Sequence, residues 1–342
     1  MSAAVATVSV RRAEVHPLLV IAGLAVIVAA VVVISTGLGA VSIAPERVLE
    51  TFFAGGTRAE QRIVYDLRLP RILVALLVGA GLACAGTILQ AVTRNPLASP
   101  AVVGINGGAG LAAVMVLFLL PAAPESALSL AAAAGATIAG STTYVLARKN
   151  GVVAPVRLAL IGIAIGALCL ALIQLFIIRF IILGDFQVAL RWLTGSLWAR
   201  SWDHVLQIAP WSLVLLPIAW LLADRLDLLL MGDDVARSLG SRVETLRGVA
   251  LVAAVGLAAS SVAVAGTIAF VGLIAPHLAR ALVGPKHRVV VPTALLLGGL
   301  LVLLADTVGR TVFAPTEVPA GLITALLGAP FFLFLLRSGA RL

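Results

Sequence analysis

Lysine is nearly missing: only Lys149 and Lys286 occur in 342 residues, and neither follows a glycine. There is therefore no Gly-Lys pair of a phosphate-binding P-loop, and this chain cannot hydrolyse ATP by that mechanism. H-E-x-x-H and G-x-S-x-G are absent too, which removes a zincin and a serine hydrolase of the nucleophile-elbow type. The four histidines, His16, His204, His277 and His287, are scattered over different loops and helix ends, and no metal site is expected from them. The two cysteines, Cys84 and Cys169, sit inside apolar runs as small hydrophobes and support neither a disulfide framework nor a zinc site. Charge is scarce as well. Asp, Glu, Lys and Arg make up 11% of the chain, against roughly a quarter in soluble domains, so a water-facing surface could not be built from them.

What fills the chain is apolar: 61% hydrophobic residues and a mean hydropathy of +1.15. Aromatics are only 5%, while Gly and Pro number 32 and 16, as where small residues let helices pack closely in lipid. Runs without Asp, Glu, Lys or Arg cover 15–45, 72–93, 95–124, 126–147, 158–178, 204–223, 248–279, 289–305 and 318–336. A membrane helix needs about 20 residues for a ~30 Å core, so most runs hold one span. The run 248–279 would make a single helix of roughly 48 Å. Gly266 and Pro276 interrupt it, which predicts one full helix to about Thr267 and a short one from about Ala269 to Leu282. The apolar stretch after Arg11 and Arg12 is longer than the core of a signal peptide and reads as the first helix. Ten-residue alternating segments are missing, so the fold class is an all-α polytopic bundle and not a barrel.

Charge placement decides between ten spans and nine. With ten spans and an inner N-terminus, fifteen of the 24 Lys and Arg fall inside and nine outside. Six of the 15 acids fall inside, so the inner net charge is +9 and the outer net is zero. With nine spans the inner basic count drops to 11 and the asymmetry vanishes. The positive-inside rule selects ten, with both termini cytoplasmic. Ala85-Gly86-Thr87-Ile88 in the second span recurs as Ala265-Gly266-Thr267-Ile268 in the seventh. The two helices run in opposite directions, as in the inverted repeats of transporters.

Three segments carry candidate chemistry. Arg94-Asn95-Pro96-Leu97-Ala98-Ser99-Pro100 forbids a continuous helix and predicts a structured turn built on Asn95, Pro96, Ser99 and Pro100. Leu228 to Gly240 reads as a short amphipathic helix bounded by Gly232 and Gly240, with Asp233 and Asp234 in its first turn, where negative charge suits the helix dipole. Such a helix can lie on the membrane or insert into a groove on a soluble partner. On the outer side, Arg58, Arg62, Arg68 and Arg71 lead into the second span, and Asp306 and Arg310 close the ninth. Exposed guanidiniums there offer forks for a partner's carboxylates.

Specific motifs add a resemblance over about Tyr65 to Leu336. They are Arg68-Leu69-Pro70-Arg71; Gln90 with Arg94 through Pro100; Gly232, Ala236, Leu239 and Gly240; Gly266 with Phe270 through His277; Asp306 with Arg310; and Glu317-Val318-Pro319 with Gly328-Ala329-Pro330. The chain resembles the permease subunits of the binding-protein-dependent ABC importers for ferric siderophores, haem and cobalamin. Trp192 through Trp198 looks most like the ferric dicitrate and ferric-siderophore members.

The resemblance implies a single permease domain over 1–342 with the ten-helix type II importer fold, a cytoplasmic N-terminal segment 1–16 and a cytoplasmic coupling segment 224–247. It implies two cytoplasmic ATPases, a second permease subunit (a copy or a sister chain), an extracytoplasmic binding protein and the lipid bilayer as partners, with no nucleic acid. The setting it implies is the bacterial cytoplasmic membrane. The chain would hold no cofactor, with ATP and Mg on the partner ATPase. Gly232, Asp233, Ala236, Leu239 and Gly240 would seat on that ATPase, and Arg68 and Arg310 would meet acids of the binding protein. The fifth span would line the path, with Ala154, Pro155 and Val156 at its gate and Gly162, Gly166 and Gln174 facing partner or path. A haem, cobalamin or oxyanion importer on the same scaffold is the alternative, and from a different class an ion-coupled secondary transporter, for which Asp306 is the candidate acid.

Overall fold

A computed structural model describes residues 16–39, 41–149, 152–180, 186–312, 314 and 316–337. The expected cytoplasmic segment 1–16 lies, except for His16, outside the described residues. The chain runs through α1 (Pro17–Gly37), α2 (Pro45–Ala54) and α3 (Arg58–Gln61), then a π-helical stretch Arg62–Arg68 that continues without a break into α4 (Leu69–Thr93). Next come α5 (Ile105–Leu119), α6 (Glu125–Ala147), a two-residue antiparallel pairing of 148–149 with 152–153, α7 (Pro155–Phe180), α8 (Phe186–Thr194) and α9 (Trp202–Leu221). Two short helices follow, α10 (Ala223–Leu230) and α11 (Asp233–Ser238), and then α12 (Val243–Ala265), α13 (Val271–Val283), α14 (His287–Thr311) and α15 (Ala320–Arg337).

Among the described residues seven helices are long and apolar enough to cross a membrane, and α5, α13 and α15 are shorter apolar helices. Together they are the ten spans that the charge-free runs predict. The split within 248–279 is present, between Ala265 and Val271. Gly266 makes it, at φ +71 and with its Cα so close to the Trp192 carbonyl that a Cβ would stand 2.2 Å from that oxygen. The second helix differs from its run in length: it starts at Arg58 and not at 72, spanning 36 residues with α3 and the π-helical stretch. Absence of charge marks the part in lipid, not the helix. The Thr57–Glu60 capping box fixes where this longer helix begins.

Almost all of α4 is buried, and α14, α12, α13 and α9 surround it. Contact this close requires residues without side chains. A Cβ on Gly79 would lie 2.1 Å from the Gly298 carbonyl of α14, and one on Gly86 would lie 1.9 Å from the Gly272 carbonyl of α13. The α5–α6 pair uses the same device at Gly108 and Gly135. In lipid, where apolar surface gains little by leaving solvent, this backbone proximity supplies the van der Waals attraction between helices. The periphery is the reverse: α1 buries only Leu24 and its last turn, and α7 presents Leu160, Ile163, Leu168, Leu175 and Ile178 outward.

Polar side chains gather at the two ends. Arg71 at the start of α4 meets Asp306 near the end of α14, while Arg94 after α4 meets Asp233 and the Leu229 carbonyl. The α1 C-terminus lies on the Arg71 face and α15 starts there, so Pro17 and Arg337 both lie toward the Arg94 face. The Ala-Gly-Thr-Ile echo does not mark equivalent positions. Ala85 to Ile88 is mid-helix in α4, whereas Ala265 to Ile268 spans the end of α12 and the break after it. The two helices do run in opposite directions. Cys84 and Cys169 are both buried, unpaired thiols.

Candidate coupling and docking faces

On the Arg94 face, α10 and α11 form two short helices where the sequence suggests one. Gly232 breaks them at φ +108, and Gly240 ends α11 at φ +80. No atom lies within 4 Å of where a Cβ would sit on either glycine, so backbone conformation and not crowding requires them. Ala236 is the internal anchor of α11, fully buried, whereas Met231, Val235 and Leu239 are 61%, 45% and 60% exposed. Val235 and Leu239, four residues apart, share the open side of α11, and Met231 stands exposed just before the Gly232 break.

Asp233 fixes this segment to the bundle. Its carboxylate accepts from Arg94 and, at 2.9 Å, from Arg247 of α12. Arg237 ties Asp234 at 3.1 Å and lies near Glu244. Three arginines (94, 237 and 247) face three acids (233, 234 and 244), so the cluster is neutral. Burial raises the Asp233 carboxyl, but Arg247 and Arg94 overcome that and hold it below the ordinary aspartate value. A depressed carboxylate stabilises the fold above its unfolded value and loses that contribution only as pH falls through the lower folded one. Asp233 is therefore an ionised acceptor at neutral pH.

The turn after α4 packs against the same end of the bundle. Asn95 Oδ1 accepts from the Leu97 amide at 2.9 Å, the Ser99 carbonyl accepts from the Val102 amide at 3.0 Å, and Pro96 lies between them. Pro100 is buried with its ring against Gly272. Asn95, Pro96, Ser99 and Pro100 thus form a compact turn joining α4 to α5.

At the foot of α7, Ala154 and Pro155 are half-buried and Val156 is 72% exposed. The backbone just before them is held at both polar atoms: the Val153 carbonyl accepts from Arg247 at 3.0 Å, and its amide donates to Glu244 at 3.4 Å. Higher up, Gly162 is buried and faces inward, and Gly166 is half-buried. A Cβ on Gly162 would lie 2.2 Å from the Val102 carbonyl, and Gly166 abuts Gly104 and Gly107. Close packing on the start of α5 requires Gly162, whereas a Cβ at Gly166 would meet nothing nearer than the Gly104 Cα at 3.9 Å. Gln174 is exposed on the outer side of α7.

On the Arg71 face the structure brings Arg68 and Arg310 together around the loop after α1. Arg68 donates to the carbonyls of Thr36 and Val41. Arg310 donates to the Leu38 carbonyl at 2.7 Å and to Ser35, and its Nε lies 3.7 Å from Asp306. Both guanidiniums are buried, capping the C-terminal carbonyls of α1. Arg71, grouped in the sequence with the outer arginines that could meet a partner's carboxylates, instead forks onto carboxylates of this chain, Asp306 at 2.8–3.1 Å and Glu317 at 2.8 Å. Asp306 is thereby enclosed by two arginines. No cluster of three His, Cys, Asp or Glu side chains that could hold a metal occurs among the described residues.

The fold is that of a polytopic helical permease. Residues 24–338 match the model of the FecCD transport family, and the chain belongs to that family. It is 48% identical to the Fe(3+)-citrate import system permease protein YfmE of Bacillus subtilis (strain 168), over 96% of this chain and 98% of that one. It is 40% identical to the Fe(3+) dicitrate transport system permease protein FecD of Escherichia coli (strain K12), over 85% of this chain and 90% of the other. Among solved structures, an inward-facing conformation of a metal-chelate type ABC transporter superposes with a TM-score of 0.83 at 30% identity. That match covers 94% of this chain and 99% of the other.

Proposed function

We propose that this chain is the transmembrane subunit of an ABC importer that carries an iron chelate, a ferric siderophore or ferric citrate, into the cytoplasm, powered by a separate ATPase. The carrying observation is the likeness to ferric citrate permeases over nearly the full length of both chains. The architecture supports the same reading. Two such subunits, identical or sister chains, would enclose a central path in the bacterial cytoplasmic membrane, with the α7 helices beside it and Ala154 to Val156 at its inner gate. The exposed apolar side chains of Met231, Val235 and Leu239 supply a surface for each of two cytoplasmic ATPases, which bind ATP and Mg in place of this chain. Chelate specificity then resides mainly in an external binding protein. The haem, cobalamin or oxyanion reading keeps this scaffold and changes only the cargo. An ion-coupled carrier is disfavoured because Asp306, its candidate acid, is already paired with Arg71 and near Arg310.

The test is uptake of radioactive ferric citrate, ferric siderophores and haem into proteoliposomes holding the complex, with its binding protein outside and ATP inside. ATP-dependent uptake of a ferric chelate is expected; uptake without the ATPase would replace this reading with a secondary carrier. A tag after the last helix should be labelled only from the cytoplasm in cells. Extracellular labelling would overturn the ten-span orientation.

The binding protein docks, in this reading, on the Arg71 face. Arg68 and Arg310 contribute their positive charge and their hold on the loop after α1. Reversing both charges, Arg68→Glu and Arg310→Glu, is expected to weaken binding-protein affinity by at least about tenfold, the effect of ~1.4 kcal/mol. Unchanged affinity in surface plasmon resonance on a normally assembled complex would remove them from docking.

A further inference from the structure

One buried cation joins the α11 segment to the pathway helix. Arg247 lies one turn into α12 and is 1% exposed, among the largest fully buried side chains in the protein. A guanidinium at that depth is costly unless its donors are met. Nη2 donates to Asp233 at 2.9 Å, the first residue of α11. Nη1 donates to the Val153 carbonyl at 3.0 Å, two residues before α7, and to Glu244 at 3.2 Å. Glu244 in turn accepts from the Val153 amide. The two ends of one planar, rigid fork therefore hold two elements 80 residues apart in sequence, and that planarity fixes their separation. Nε has no partner, so the side chain is held only through these outer contacts. The surrounding charges belong to the same cluster: Arg94 on Asp233, and Arg237 on Asp233, Asp234 and Glu244.

Resting on the importer reading above, we infer that Arg247 is the positioning residue that transmits displacement of α11 to the foot of α7. α11 is suspended between glycine pivots at 232 and 240, so a push on its open side moves Asp233. Arg247 follows Asp233 and draws the Val153 carbonyl, and with it Ala154 to Val156. Glu244 is a weaker second link, accepting from the Val153 amide at 3.4 Å and lying 3.8 Å from Arg237 of α11, whereas Arg247 bonds both segments at 2.9–3.0 Å.

The experiment places a reporter thiol by Val156→Cys. The native thiols are both buried, so maleimide reads the new site. In the full complex in proteoliposomes, trapping the ATPases with ATP and vanadate is expected to change the labelling rate at 156 by about fivefold or more, the low end of coupling between distant sites. Adding Arg247→Gln should abolish that response and lower chelate taken up per ATP hydrolysed. Arg247→Lys keeps the charge but replaces the rigid planar fork with a flexible ammonium, which does not fix the distance between Asp233 and the Val153 carbonyl. It should assemble normally yet lose the response as well, which a charge needed only for folding would not do. A full vanadate response in either assembled variant overturns the inference. No response with Arg247 intact overturns it too, while the importer reading stands or falls separately on ATP-dependent uptake.

Discussion

Arg71→Ala is expected to cost about 3–5 kcal/mol of stability, because it leaves a buried carboxylate without its main partner. Asp306 is 2% exposed and takes three of the Arg71 contacts, from Nε and Nη2. Arg310 cannot replace it. Its Nε is 3.7 Å from Asp306, and its terminal nitrogens serve the α1 carbonyls. In detergent, the variant should unfold many degrees below the parent in a fluorescence thermal-shift assay, and the assembled yield should fall. A control separates a broken pair from a lost contact. Replacing both partners by apolar residues of similar volume, Arg71→Met with Asp306→Leu, removes the orphaned charge and should recover much of the loss. Recovery stays partial, because Arg310 then loses its neighbouring anion. If the single and double variants melt together, the pair is not what secures α4 to α14.

Whatever repeats along the chain or varies with local composition was legible before any coordinates. The ten spans, the break at Gly266 and the separation of basic from neutral faces follow from runs of charge-free residues about as long as the bilayer is thick. The segment from Gly232 to Gly240 was legible because two glycines and a pair of acids frame it within nine positions. Pairings across the bundle were not. Arg71 and Asp306 are 235 residues apart, Arg94 and Asp233 are 139, and Gly79 opposes Gly298; no local pattern selects among the possible partners. The inward direction of Gly162 was hidden for the same reason, since glycine offers no side chain whose polarity would declare a face. Arg247 left no local signal of its own, because it stands at the border of the charge-free run 248–279, beside Arg242 and Glu244 among the charges of the inner segment. The helical start at Arg58 and the short helices α2 and α8 were missed because they lie in polar or mixed stretches, where a search for apolar runs finds no boundary.

The largest effect on coupling is expected at Gly240. Its φ of +80 lies in the left-handed region, which costs an L-residue about 1–2 kcal/mol and a β-branched one more. The local bonds depend on that conformation: Gly240 donates to the Arg237 carbonyl at 2.9 Å, and Ser241 donates back to the Ala236 carbonyl at 2.9 Å, closing α11. A Cβ at position 240 meets no atom within 4 Å, so the fold should survive Gly240→Val, held by buried Ala236 and by Asp233 on Arg94 and Arg247. What changes is the helix end, and with it the direction of Leu239. A cost near 1.4 kcal/mol against the seated geometry corresponds to about a tenfold loss in chelate taken up per ATP hydrolysed. Gly240→Asn is the discriminating control, because asparagine tolerates left-handed backbone and should stay much closer to the parent. Equal losses for Val and Asn would mean that a side chain at this position obstructs the ATPase directly. Parent-like uptake per ATP in Gly240→Val would mean that the left-handed end of α11 plays no part in coupling. A graded order, with Asn near the parent and Val far below it, identifies backbone conformation at the second glycine pivot as what seats α11 on its motor.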